Sequence, residues 1–458
     1  MNLSVYFKEF RYNIKLAYPI IIAMLGHTLV GVIDNIMVGR IGATELAAAS
    51  LANSFVFIAL AVGVGFSTAI TPLIARTDTE RNDREGQSVF LNGVVICTLL
   101  GIILFSILFS LKPLINFMEQ PETVTRMAKP FLDIVGFSLI PAIAFQGFKQ
   151  FSDGKSFTRY SMYATLIANI FNVVFNYCLI YGVWFFPEMG YMGVAYGTLI
   201  SRIIMVIYMY FALKSNVVLA PFIKGLTIKD FSWEKCKDIF KIGVPSGMQS
   251  LFEVGLFTGA VWLTGMLGTA AQAANQIALS MASLVFMFVS GLSVAAMIRV
   301  GNQMGLKDYK KMKIVAGSIM MMSVFLNTIF ALLFFIFHKQ IPLLFINADN
   351  ELQGELSTEV VYIAGKLLII AGFFQIFDGI QVTILGSLRG LRDVTIPMIM
   401  TFISYWVVGY SICIYLGLYT ELGATGVWLG LLAGLAFAAI TLYFRFSYMS
   451  NRLINKNR

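Results

Sequence analysis

What most constrains this chain is an apolar run, longer than about 18 residues, that recurs from one end to the other. About 20 residues at a 1.5 Å rise match a hydrocarbon core of roughly 30 Å, so such a run crosses a bilayer as a helix. Twelve can be drawn, at about 16–39, 46–75, 88–111, 128–152, 157–181, 191–213, 240–266, 272–302, 314–337, 357–386, 394–417 and 423–446. With no water in the hydrocarbon, each helix must satisfy its own backbone hydrogen bonds. The expected fold class is therefore an all-α membrane protein with twelve transmembrane helices. Composition excludes the soluble alternative. Of 458 residues, 58% are hydrophobic and only 12% charged, against roughly 25% charged in a soluble domain.

The net charge of +9 invites a nucleic-acid partner, but its distribution points to topology instead. With the N-terminus inside, only Arg40, Lys112, Arg126, Lys129 and Lys339 of the 33 Lys and Arg fall in outer segments, and Arg202 and Lys366 lie within spans. The rest crowd the inner segments, which orients both termini to the cytoplasm. The expected location is a bacterial inner membrane, crossed many times, with no nucleic-acid partner. The first span is too long for a signal core and has no small-residue cleavage site behind it. Cys97, Cys178, Cys236 and Cys413 show neither metal spacing nor a disulfide framework.

The longest polar break runs from Lys214 to Lys237 and divides six spans from six. It predicts an N-terminal lobe over 1–213, a cytoplasmic linker over 214–236 and a C-terminal lobe over 237–458. The halves repeat. A shift of 226 residues lays Pro19 on Pro245, Gly39 on Gly265, Gly42 on Gly268, Ala47 and Ala48 on Ala273 and Ala274, and Ser67 on Ser293. Later the shift drifts, pairing Gln146 with Gln375 and Gly193-Val194 with Gly426-Val427. An even number of spans per half makes the repeat parallel, two six-helix lobes about a pseudo-two-fold axis along the membrane normal.

Charges at membrane depth are costly, so they mark function by default. Glu253 in the seventh span, Asp378 in the tenth and Asp34 in the first are the clear cases. No basic residue in the seventh and tenth spans is placed to neutralise Glu253 and Asp378, whereas Arg40 follows Asp34 by six residues. Gln375, Asp378 and Gln381 share one helix face, Gln249 and Glu253 are one turn apart, and Asn169, Asn172 and Asn176 form a polar stripe. His27 and Asp34 lie two turns apart. Carboxylates and amide oxygens suit sodium, with Glu253 and Asp378 as its candidate ligands, and an unpaired carboxylate can take a proton instead. The bland readings are helix-to-helix glue for the amides and a packing role for His27. There is no P-loop, and the two histidines are too far apart for a metal site. No cofactor beyond a transported sodium ion or proton is expected.

The run Asp34-Asn35-Ile36-Met37-Val38-Gly39-Arg40-Ile41-Gly42, followed by Glu45-Leu46-Ala47-Ala48, resembles the first span and loop of the multidrug and toxic compound extrusion (MATE) family. So do Phe252-Glu253-Val254, Gly386-Ser387-Leu388-Arg389-Gly390 with Asp393, and Phe402-Ile403-Ser404-Tyr405-Trp406. The likeness spans nearly the whole chain and is closest to the NorM-like branch. It implies a two-lobed, V-shaped fold and export of cationic or amphipathic organic compounds against inflowing sodium or protons. It implies cation coupling at Glu253 and Asp378, and a second site at Asp34 with Asn172 and Asn176. Some relatives in that family carry a tyrosine where this chain has Phe374, so one oxygen ligand of the implied set is missing.

Three rivals stand beside the exporter, which is expected to work as a monomer in contact with lipid. A lipid-linked oligosaccharide flippase would need basic residues in its cavity, and the deep charges here read as acidic. A membrane-embedded enzyme would need a nucleophile or metal constellation, and none is found, so no catalysis is expected. A channel fits the lobed repeat and scattered carboxylates less well than a carrier does.

Overall fold

The computed structural model describes residues 3–118, 120–224, 230–345 and 354–456. Its long elements are all helical: α1 Leu3–Gly39, α2 Ala43–Thr79, α3 Asp83–Phe117, α4 Glu122–Gly154, α5 Thr158–Tyr181, α6 Met192–Ser215, α7 Trp233–Met266, α8 Thr269–Gly305, α9 Tyr309–Phe337, α10 Gly354–Gly390, α11 Thr395–Leu418 and α12 Ala424–Lys456. Among the described residues 11 helices are long and apolar enough to cross a membrane. α7, with 34 residues, is the twelfth by length. Its stretch Gln249–Glu253 dilutes an otherwise apolar segment. Lys229 and Arg458, counted above with the inner charges, lie outside the described residues.

The internal repeat is visible in the local geometry. Arg81 and Lys307, 226 apart, both take left-handed backbone, with φ of 54° and 57°. The residue after each, Asn82 and Asp308, caps the next helix by accepting a hydrogen bond from the backbone N–H of Glu85 and Lys311. Packing corrects one pairing made from the sequence. A Cβ at Gly154 would press on Ile74 and the Thr71 carbonyl, and one at Gly390 on Val300 and the Met297 carbonyl. Since Thr71 and Ile74 match Met297 and Val300 at the shift of 226, Gly154 matches Gly390 at 236. Gln146 therefore matches Val382, and its pairing with Gln375 was a coincidence of residue type.

The chain forms two compact units: Tyr18–Met248, and Met1–Ala17 together with Gln249–Arg458. In the second unit the first turns of α1 are fastened to the later helices. The Arg299 guanidinium donates to Glu9 and Asn13, each at 2.6 Å, and lies 4.4 Å from the Tyr12 ring centroid. Asn13, fully buried, donates in turn to the Ser318 hydroxyl at 3.1 Å. These bonds explain why α1 continues some turns before the apolar run begins.

The segment 214–236 belongs to the first unit, apart from 225–229, which lie outside the described residues. It is pinned along its length. Asn216 donates to the Tyr160 hydroxyl at 2.8 Å, and the Phe222 ring sits 3.9 Å beneath the Lys155 ammonium. The Ser88 hydroxyl donates to the Asp230 carbonyl at 2.7 Å, and Asn92 accepts from the Ser232 N–H and the Cys236 thiol.

Candidate functional site

Two polar clusters lie at membrane depth, one in each unit. In the second unit, α7 presents Gln249 and Glu253 one turn apart, and α10 presents Gln375, Asp378 and Gln381 on one face. Gln375 and Gln381 are fully buried and Asp378 almost so. The Gln375 amide nitrogen donates to the Ala282 carbonyl at 3.3 Å, while its oxygen has no partner. Neither polar atom of the Gln381 amide has one. The Tyr405 hydroxyl is buried in the field of Glu253 and Asp378, beside the Gln381 amide but without a completed hydrogen bond. The amide and phenol oxygens of Gln375, Gln381 and Tyr405 are thus among the buried polar atoms of the described residues that have no hydrogen-bond partner.

Tyr405 reaches this position through a local irregularity. Residues Ile403–Gly409 of α11 form a π-helical stretch, a wide turn that often marks functional positions in helices. Phe374 does not join the cluster. Its ring is 2% exposed and packs between Phe257 and Trp428, with centroids 6.1 and 5.6 Å away. The phenol in the field of the two carboxylates is that of Tyr405 on α11.

Arg389 was not among the candidate residues. It was placed among the inner charges, yet it follows Asp378 by eleven residues, three helical turns, on nearly the same face. Its guanidinium donates to the Gln249 amide oxygen at 2.9 Å and lies in the field of Glu253. Arg389 thus tempers the expectation for Glu253, whose field it shares without an ion pair, while among the described residues no basic group is in range of Asp378. The eleven-residue spacing was the signal that could have revealed Arg389.

In the first unit, Asp34 on α1 accepts a hydrogen bond of 2.6 Å from the Asn176 amide on α5, which also donates to the Asn172 oxygen at 3.1 Å. Gly197 on α6 makes the space, because a Cβ there would collide with the Asn176 oxygen. The counter-charge in range of Asp34 is Arg202 on α6, and not Arg40. Arg202 donates to the Ser138 hydroxyl at 2.6 Å, at the bend where α4 changes direction. His27 stands on an exposed part of α1 and shares no hydrogen bond with Asp34. With Arg202 and Arg389 both present, the deep charges are not all acidic, and that ground for setting aside a flippase falls. Among the described residues no group of three or more His, Cys, Asp and Glu gathers as a metal site.

Twelve long helices among the described residues, in two repeated units, each with a polar cluster that includes a carboxylate at membrane depth, define a polytopic membrane protein of carrier design. The family model MatE matches residues 19–178 and 245–415, and the two matches begin on the prolines that the shift of 226 superposes. The chain belongs to this family. It is 33% identical to the multidrug resistance protein NorM of Vibrio cholerae over 442 residues, 95% of each chain. It is 31% identical to a probable multidrug resistance protein NorM of Rhizobium meliloti, covering 97% of this chain and 94% of that one. The crystal structure of the eukaryotic MATE transporter AtDTX14 shares the fold, with a TM-score of 0.87 over 99% of both chains at 18% identity.

Proposed function

We propose that this chain is a multidrug efflux transporter that exports cationic or amphipathic organic compounds by alternating access, in exchange for sodium or protons. The relatives named multidrug resistance proteins support the efflux part. The observation that carries the cation part is the cluster on α7, α10 and α11. Glu253, Asp378 and Tyr405 lie in one another's fields, Gln381 is beside the phenol, Gln375 is one turn from Asp378, and the oxygens of Gln375, Gln381 and Tyr405 have no partner among the described residues. An all-oxygen set of this kind suits sodium, and either carboxylate suits a proton. Cation binding there would change the relative stability of outward- and inward-facing states. Asp34 is a second position for the coupling cation, and Asn172 and Asn176 beside it form a polar face for the exported compound. The protein lies in a bacterial inner membrane with both termini in the cytoplasm, and works as a monomer without a bound cofactor.

The test is export of a fluorescent cationic dye from cells or inverted vesicles under a sodium gradient alone or a proton gradient alone. One of the two should drive export, and Glu253→Gln and Asp378→Asn should each abolish the response while the protein still inserts. Full export by both variants would sink the assignment.

A further inference from the structure

We propose that the first turns of α1 and of α7 each bind one anionic phospholipid of the cytoplasmic leaflet, through the basic pairs Arg11 with Lys15 and Lys237 with Lys241. The choice of leaflet rests on the orientation given above, and the binding of lipid does not.

The observation is a surface pattern that occurs twice. On α1, Phe7, Arg11, Ile14 and Lys15 are all exposed. The shift of 226 lays them on Trp233, Lys237, Phe240 and Lys241 of α7, which are exposed as well. Offsets of four, seven and eight share one helix face. Each helix therefore shows a stripe that reads aromatic, basic, apolar, basic, and each stripe reaches the start of its apolar run, at about 16 and 240. Residues up to Ala17 belong to the second unit and those up to Met248 to the first, so each unit carries one stripe.

The inward side of the same turns shows what the protein itself requires. There Glu9 matches Lys235, a reversal of sign. Glu9 accepts from Arg299 at 2.6 Å, and Lys235 pairs with Glu85. Asn13 donates to Ser318, whereas its match Ile239 is apolar and buried. Inward positions are thus fitted to their own unit, and their chemistry changes between the halves. The outward basic positions keep their charge. Yet among the described residues none of the four makes an ion pair, a hydrogen bond or a ring contact. Of the nearby acids, Glu9 is held by Arg299, Asp238 lies 3.9 Å from Lys235, and the exposed Glu234 makes no ion pair with Lys237. Orientation by charge bias depends on how many basic residues lie inside, and does not require two of them on one face. A partner outside the protein does. Basic groups one turn apart stand about 5–6 Å apart at Cβ and can straddle one phosphate. Ile14 and Phe240 between them would stay in water against a free anion, but lie along the glycerol and acyl chains of a lipid, as the stems of Lys15 and Lys241 do.

The experiment titrates the full-length protein, stripped of lipid in detergent, with phosphatidylglycerol or with phosphatidylcholine, and counts bound molecules by native mass spectrometry. Two molecules of phosphatidylglycerol should bind at concentrations where phosphatidylcholine does not. Arg11→Gln with Lys15→Gln should remove one, and Lys237→Gln with Lys241→Gln the other. Each pair should weaken its site about 30-fold, the effect of two basic residues near an anionic surface. Lys237→Arg with Lys241→Arg should keep both molecules. Equal binding of the two lipids by the unsubstituted protein, which needs no variant to fold, overturns the proposal. So does retention of both molecules by both Gln pairs, or displacement of phosphatidylglycerol by excess inorganic phosphate. Labelling of Val217→Cys in intact cells by an impermeant maleimide would overturn the leaflet alone, since the lipid count is taken in detergent.

Discussion

At the scale of single residues, the side chains doing most are those whose bonds reach far along the chain. Arg299 joins Glu9, Asn13 and Tyr12, nearly 300 residues away in sequence. Removing it leaves the Glu9 carboxylate without its partner, which typically costs about 3–5 kcal/mol for a buried pair. Arg299→Ala should lower the apparent melting temperature in detergent clearly, and an unchanged melting curve would contradict that role. Tyr405 should behave in the opposite way. Its hydroxyl completes no hydrogen bond, so Tyr405→Phe should alter stability by less than about 0.5 kcal/mol. The same variant should raise the concentration of coupling ion needed for half-maximal dye export. Gly197→Ala should damage export by displacing the Asn176 amide from Asp34, an overpacking cost of about 1–3 kcal/mol. Dye efflux and thermal unfolding, measured together, check the pair.

At the scale of elements, the spans were legible because hydropathy and length alone decide what crosses a bilayer. Their ends were not. α1 begins at Leu3 and α7 at Trp233, ahead of their apolar runs. The polar early turns are held by tertiary bonds that no local window contains. The carboxylates Asp34, Glu253 and Asp378 were also legible, since each is an isolated charge in an apolar run. Arg389 and Tyr405 were not, because one lies near a span end and the other owes its position to a π-helical stretch. That stretch carries its own expected outcome. Deleting the exposed Val407 would let Ile403–Gly409 relax to an ordinary α-helix and rotate Tyr405 by about 100° relative to the later turns. Dye export should be lost while membrane insertion, followed by fractionation, persists.

At the scale of the whole molecule, the repeat is architectural and not chemical. At the shift of 226, Asp34 matches Ala260 and Glu253 matches His27. At 236, Asp378 matches Ala142. The two halves share caps and packing but not acid positions: Asp34 and Glu253 sit on equivalent helices seven residues out of step, and Asp378 has no acidic counterpart, so neither cluster is a copy of the other. Only the register of the later helices, at 236, needed packing to fix it. Topology is testable at the same scale. All four native cysteines are buried, which leaves a quiet background for labelling. In intact cells Trp184→Cys should react with a membrane-impermeant maleimide. Val217→Cys should react only after lysis, and early reaction would reverse the assigned orientation.

The division of α1 and α7 between the two units has one more consequence. If the backbone were cut between Lys224 and Asp230, neither fragment would contain a whole unit. The first would carry Leu3–Ala17, which the second unit needs, and the other would carry Trp233–Met248, which belongs to the first. The fragments would have exchanged arms, as the two chains of a swapped dimer do. Expressed separately they should fail to mature, and expressed together they should rescue one another.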